Sequence, residues 1–188
     1  FGLITSAFLL LSGDESAYLA AQKQPMKLAA MEGLYKGEQN AGLVAAGILI
    51  PAKKLGDESD AFLFEIKVPY ALGIMANREL DSFTPGINDL LYGNSEHNLI
   101  SVEEKMAKGK VAIEALKNYK EAKKANDESL MKSSLSNLES NLNFLGYGYL
   151  KDAKDAVPPV ALTFYSFHIM VALGTYFIAL FAITLYLN

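Results

Sequence analysis

Hydrophobic and polar positions divide the chain into a polar middle between two apolar ends. Residues 160–187 form a run of 28 residues without a formally charged side chain. About 20 apolar residues cross the ~30 Å hydrocarbon core of a bilayer, so this run predicts a transmembrane helix within 158–188. Residues 1–13 are also apolar but too short to span a membrane. We interpret them as the end of a transmembrane helix whose beginning is missing.

The middle of the chain, residues 14–157, is then expected to be one large loop, because both apolar segments would meet it at the same face of the membrane. Its first part, residues 14–37, is rich in Ala, Leu, Met, Lys and Glu. This composition predicts helix in two pieces broken at Pro25, with Gly37 as the C-cap.

Two further patterns follow within the loop. Along 62–68, apolar and polar side chains alternate with a period of two, which predicts strands and a β-hairpin over 43–68. Over 101–145 the apolar positions instead recur at helical spacing, in two runs separated at Asn126. This second pattern predicts a helical hairpin, which we interpret as scaffold.

Charge and composition exclude several function classes. All 17 Lys and Arg and all 21 Asp and Glu residues lie between Asp14 and Asp155. The absence of cysteine excludes a disulfide scaffold, a Cys nucleophile and a Cys/His metal cluster. A net charge of −4 and a single arginine, Arg78, argue against a nucleic-acid partner.

The segment QPMKLAAMEG, residues 24–33, holds one candidate site. Lys27 and Glu32 are five positions apart, which separates them by about 140° on a helix, so they are not an ordinary i,i+4 surface pair. A cation and a carboxylate that do not form an ion pair with each other could both contact a polar head group, one from each side. The competing interpretation is two independently solvated charges.

The apolar run 160–187 holds the other candidate. A methionine thioether such as that of Met170 ligates haem iron when a histidine takes the opposite face, although membrane methionines more often serve packing. His168 is an ionisable group inside a predicted span, where such groups are costly and often functional. It lies about 200° around the helix from Met170. The other histidine, His97, stands in a polar segment and is interpreted as an ordinary surface residue.

Two separated segments carry a resemblance to a known family. GDESAYLAAQKQPMKLAAMEGLYKG, followed far downstream by PPVALTFYSFHIMVALG, resembles subunit I of the cytochrome bd-type quinol oxidases. PGINDLLYGN and GKVAIEALKNYKEAKKA are similar to a subset of members. The resemblance implies a mainly α, multi-helix integral membrane subunit of the cytoplasmic (inner) membrane, of which this chain is an internal fragment. Residues 14–157 would be its large extracytoplasmic loop of mixed α+β structure, the Q loop.

The resemblance also implies an activity and its cofactors. The intact enzyme would be an electrogenic, respiratory quinol:oxygen oxidoreductase that oxidises quinol at the Q loop and passes electrons to a low-spin haem b. Lys27 and Glu32 match the residues linked to quinol binding, and Met170 matches the axial methionine of that haem. Family members usually carry arginine at the position of His168. A high-spin haem b and haem d would be held outside this chain.

The expected partners are quinol, membrane lipid, subunit II and the remaining helices of subunit I, and the fragment alone is expected to be inactive. In the expected mechanism, Lys27 donates a hydrogen bond to a quinol oxygen and Glu32 accepts a quinol proton. The type of quinone is left open.

The competing hypothesis is a non-enzymatic, membrane-anchored extracytoplasmic binding or scaffold module, which would contain no haem. A transporter fragment has less support, because the C-terminal apolar run is not interrupted.

Overall fold

The computed structural model describes residues 1–51, 53–57 and 59–187, which fall into two compact units. The first unit combines Phe1–Asn88 with the segment from Pro158 onward, and the second comprises Asp89–Val157. The first unit therefore contains both apolar ends of the chain and the predicted β-hairpin. The second contains the predicted helical hairpin.

Two consecutive helices, α1 (Gly2–Lys23) and α2 (Pro25–Glu32), open the first unit. They are separated at Gln24, whose φ of −136° is not helical. Pro25 takes the first position of α2, where its missing N–H costs nothing. Helix α1 continues through Gly13, so the end of the apolar stretch is not the end of the helix. One glycine costs only about 1 kcal/mol in a helix, and good helix formers follow it.

Helix α2 ends at Gly33, so the prediction of Gly37 as its C-cap is wrong. Gly33 has a φ of +64°, and its N–H lies against the carbonyl oxygens of Ala29 and Ala30. A Cβ at Gly33 would lie 2.8 Å from Cζ of Phe62. Both the left-handed backbone and the close packing require glycine here, and neither requirement is visible in the composition of the segment.

Two small antiparallel sheets belong to the first unit. Strand β2 (Leu43–Leu49) pairs with β3 (Phe62–Val68), the segments for which alternation predicts a hairpin. The pairing runs from Leu43 opposite Val68 to Leu49 opposite Phe62. The other sheet pairs two short strands, β1 (Glu38–Gln39) and β4 (Phe83–Thr84). Two short helices are α3 (Ala71–Asn77) and α4 (Ile87–Tyr92). The boundary between the two units, after Asn88, falls within α4.

The long apolar helix α7 (Val160–Leu187) packs its N-terminal part on the β2–β3 sheet. Phe164, only 1% exposed, contacts Val44 and Leu49, and its ring centroid is 5.5 Å from that of Phe62. Within the described residues, one segment, Ala153–Leu187, which contains α7, is long and apolar enough to cross a membrane, with a mean hydropathy of 2.1 over 18 of its residues. It includes the predicted transmembrane run.

The second unit is built on α5 (Val102–Ala125) and α6 (Glu128–Asn141). Oγ of Ser101 accepts a hydrogen bond from the N–H of Glu104 and caps α5, and the carboxylate of Asp127 caps α6. The chain then changes to a 3₁₀ helix over Leu142–Tyr149, and a second one follows at Ala153–Ala156. The helical prediction to residue 145 thus overruns the α-helix by one turn.

The 3₁₀ segment lies directly against α5 at two glycines. A Cβ at Gly109 would lie 2.4 Å from the backbone nitrogen of Gly148 and 2.4 Å from the carbonyl oxygen of Phe144. A Cβ at Gly148 would lie 2.5 Å from the carbonyl carbon of Gly109. Backbone therefore packs on backbone at this point, and no larger side chain fits.

We expect Gly109→Ala to destabilise the protein by about 1–3 kcal/mol, because overpacking against backbone cannot be relieved by a rotamer change. An ordinary helical glycine would instead gain about 1 kcal/mol on becoming alanine. Thermal unfolding and limited proteolysis of the purified protein measure the difference.

Gly146→Ala is the matched control, because a Cβ at Gly146 would meet nothing within 4 Å. A stabilising effect of Gly109→Ala, or equal effects of the two variants, would contradict the close contact.

Candidate functional site

The last residue of α2, Glu32, lies inside the first unit, directly before the left-handed turn at Gly33. Leu28, Ala29 and Ala30 bury the same helix against the core. Glu32 itself is 1% exposed, which is unusual for a carboxyl group. A charged side chain is rarely buried without partners, so its surroundings determine its chemistry.

One carboxylate oxygen of Glu32 is hydrogen-bonded to the sheet. The backbone N–H of Val44 donates to Oε2 at 3.4 Å. The other oxygen, Oε1, is buried and has no hydrogen-bond partner among the described residues. A buried polar atom without a partner is costly, and it is therefore available to a ligand that brings a donor.

Burial raises the pKa of the Glu32 carboxyl from 4.5 to about 7, against the smaller opposing effects of the nearby His168 ring and of the hydrogen bond from Val44. A carboxyl group with a pKa near 7 exchanges a proton readily at neutral pH. The group is thus suited to accept a proton from a bound molecule.

Glu32 lines a pocket of about 460 Å³ in the first unit. The volume falls within the range of small-molecule sites. Residues of the α2–β1 connection, β2 and β3 form its walls, and aromatic and charged side chains are both present. Its lining includes Tyr35, Glu38, Phe62, Phe64, Glu65 and Lys67.

Two lysines that the sequence patterns did not single out, Lys36 and Lys67, line the pocket, and Lys67 lies between two carboxylates. Nζ of Lys67 lies 3.2 Å from Oε1 of Glu38 and 3.4 Å from Oε1 of Glu65. These partners raise the pKa of Lys67 despite the opposing effect of its partial burial. Lys67 could have been identified from the sequence by its position in the alternating strand, two residues after Glu65 and therefore on the same face.

The structure does not bring Lys27 together with Glu32. Lys27 is exposed on the outer face of α2 and is not among the residues that line the pocket, whereas Glu32 is buried. This agrees with the expected angular separation of about 140° on the helix. Any joint action of the two side chains requires that a ligand, or the Lys27 side chain, move between the two faces.

Met170 lies in α7 with 60% of its surface exposed, and no core cluster of the first unit contains it. A thioether exposed on an apolar helix fits an axial haem ligand whose opposite ligand comes from another segment. Among residues 1–51, 53–57 and 59–187 there is no group of three or more His, Cys, Asp and Glu side chains that could hold a metal ion. The assignment of Met170 as a haem contact stays a prediction.

The two histidines differ in their placement. His97 is exposed in the second unit. His168 is half-buried in the first unit, where Nε2 lies 2.8 Å from the carbonyl oxygen of Val44 and Nδ1 lies 2.9 Å from that of Phe164. His168 thus faces β2, and Met170 lies on a different face of the same helix.

Comparison with known proteins gives two kinds of match. The family profile of cytochrome bd terminal oxidase subunit I matches residues 1–188. The chain is 30% identical over 202 aligned positions to cytochrome bd-II ubiquinol oxidase subunit 1 of Escherichia coli (strain K12). This alignment covers 98% of the present chain and 36% of that relative. The chain therefore spans about a third of the length of this relative.

A second relative is matched over a shorter stretch. The chain is 32% identical over 87 positions to a protein of Bacillus subtilis (strain 168) named "Putative cytochrome bd menaquinol oxidase subunit I". This match covers 46% of the present chain and 18% of that relative.

We expect Glu32 to be protonated below about pH 7 and ionised above it, because burial disfavours the charged form. Since the folded state raises this pKa, the stability that neutral Glu32 confers is complete below pH 4.5 and is lost as the pH rises through 7. An infrared titration of the purified protein should show a carboxylic-acid band that disappears near pH 7.

The Glu32→Gln variant is the control: it lacks this carboxyl group, so the band that is missing from its spectrum is assigned to Glu32. Ionisation of the assigned band near pH 4.5 would show that Glu32 is solvated and would contradict its burial.

Proposed function

The chain belongs to the cytochrome bd terminal oxidase subunit I family, and from this premise we propose that it forms part of a respiratory quinol:oxygen oxidoreductase. Family membership confirms the resemblance of the two sequence segments and the expectation of a membrane protein. We place it in the cytoplasmic membrane, with residues 14–157 as the extracytoplasmic Q loop. The observation that carries the proposal is the buried carboxyl of Glu32 on the wall of the 460 Å³ pocket.

Quinol would bind in this pocket, with one hydroxyl group towards Glu32. Oxidation of a quinol to a quinone releases two electrons and two protons. Oε1 of Glu32 accepts one of these protons, because it lacks a hydrogen-bond partner among the described residues and its pKa of about 7 suits a general base at neutral pH. Phe62 and Phe64 provide aromatic surface for the quinol ring.

Lys27 would act from the other face of α2. Its exposed ammonium group can donate a hydrogen bond to a quinol oxygen and stabilise the negative charge that develops as the proton leaves. The long side chain has the rotatable bonds needed to turn towards a quinol that enters beside α2. Lys27 therefore contributes to binding, and Glu32 to proton transfer.

Met170 would hold the iron of a low-spin haem b through its thioether sulfur. Haem b, when bound, supplies one-electron acceptance, and Met/His ligation raises its reduction potential. From Pro159 to Met170 is roughly 16 Å of helix rise, so in the proposed arrangement the thioether would lie inside the membrane, below the loop. The opposite ligand, the high-spin haem b, haem d, subunit II and the other helices of subunit I lie outside this chain, so the chain alone is expected to be inactive.

The first test is the pair Glu32→Gln and Lys27→Ala in the intact oxidase. We expect Glu32→Gln to lower kcat for quinol oxidation about a hundredfold, because it removes a general base. Lys27→Ala should raise KM for quinol about tenfold, because it removes one charged hydrogen bond. Haem absorption spectra should stay unchanged in both.

Lys23→Ala is the matched control, since Lys23 is an exposed lysine in the last turn of α1, four residues before Lys27. Normal quinol turnover in Glu32→Gln would overturn the proposed site.

A second test addresses the cofactor. Met170→Leu should abolish the low-spin haem b spectrum of the purified oxidase, because leucine keeps the bulk of methionine but cannot ligate iron. Met131→Leu, the same change in α6 of the second unit, should leave the spectrum intact. An unchanged spectrum in Met170→Leu would favour the alternative of a haem-free, membrane-anchored binding module.

A further inference from the structure

His168 contacts the sheet through its ring nitrogens. Nε2 lies 2.8 Å from the carbonyl oxygen of Val44, which is 124 positions away in the chain. A carbonyl oxygen only accepts hydrogen bonds, so Nε2 must carry the proton in this contact. The ring of His168 also lies over that of Phe164, at a centroid distance of 4.0 Å. These contacts hold the imidazole between α7 and β2.

Val44 is also the residue that holds Glu32. In a strand, the N–H and the carbonyl group of one residue point to the same side. The N–H of Val44 donates to Oε2 of Glu32 and its carbonyl oxygen accepts from His168, so both side chains meet β2 along one edge. Among residues 1–51, 53–57 and 59–187, β3 is the one strand paired with β2, and the hydrogen-bonding groups on the other edge of β2 are left to side chains.

We propose that His168 is a positioning residue of the quinol site: by donating from Nε2 to the carbonyl oxygen of Val44, it holds the edge of β2 where the Val44 N–H donates to Glu32. This inference rests on the proposed function. The contact needs a proton on Nε2. It fixes the carboxyl of Glu32 relative to the helix that carries Met170.

Tyr165 provides a comparison within the same helix. Its hydroxyl oxygen accepts a hydrogen bond of 3.0 Å from the backbone N–H of Leu49. This contact also joins α7 to β2, but five residues away from Val44. Loss of either hydrogen bond loosens the sheet on α7, whereas only loss of the His168 contact frees the backbone that holds Glu32.

The test compares His168→Asn, His168→Gln and Tyr165→Phe in the intact oxidase. The amide of glutamine can reach the position of Nε2 and donate to Val44, whereas that of asparagine is one methylene shorter and cannot. We expect His168→Asn to shift the infrared band of the Glu32 carboxyl and to raise KM for quinol about threefold to tenfold, the equivalent of one hydrogen bond. His168→Gln should restore both properties, and Tyr165→Phe should leave the band in place.

The outcomes separate this inference from the proposed function. If Glu32→Gln impairs quinol oxidation but the Asn and Gln variants of His168 behave alike, the positioning role is overturned and the quinol site stands. An equal band shift in Tyr165→Phe would also overturn it, because His168 would then act only through general packing. If Glu32→Gln oxidises quinol normally, the proposed site is wrong and this inference falls with it.

Discussion

Val44 has a backbone N–H and a carbonyl oxygen on the edge of β2 that β3 does not cover, and the residue is only 4% exposed. Buried backbone groups need hydrogen-bond partners. Glu32 at the end of α2 and His168 in α7 supply them. The relative placement of helix, sheet and apolar helix in the first unit therefore depends on this one residue, together with the packing of Phe164 beside it.

The same constraint explains why a carboxyl group is kept in a buried position. A buried carboxylate loses hydration, and one hydrogen bond of 3.4 Å compensates only part of that cost. Glu32 is the last residue of α2, and Gly33, which follows it, has a left-handed backbone packed closely against Phe62. What remains is a group whose pKa lies near 7 and whose Oε1 has no hydrogen-bond partner within the part of the chain that the structure describes. Loss of hydration is thus the cause both of the free-energy cost of burying Glu32 and of its raised pKa, which suits the group to proton transfer.

Local patterns in the sequence predicted the elements but not how they meet. The period of two along 62–68 and the break at Pro25 correspond to β3 and to the junction of α1 and α2. The helical separation of Lys27 and Glu32 was also foreseen. The pairing of Glu32 and His168 on Val44 was not, because it joins residues far apart in the chain and depends on strand register. No spacing rule encodes such a contact.

In helices α2 and α7, one face contacts the β2–β3 sheet and another face is exposed. In each, one face binds the sheet through a polar side chain, Glu32 or His168, and the other presents an exposed candidate, Lys27 or Met170. Because the inner face of α7 is occupied by protein, a haem held by Met170 would lie on the outer side of this helix, whereas Lys27 would have to turn towards a quinol in the pocket that Glu32 lines. For α7 the consequence is specific: the exposed apolar face that carries Met170 is where the proposed remaining helices of the subunit would pack, with haem b between them.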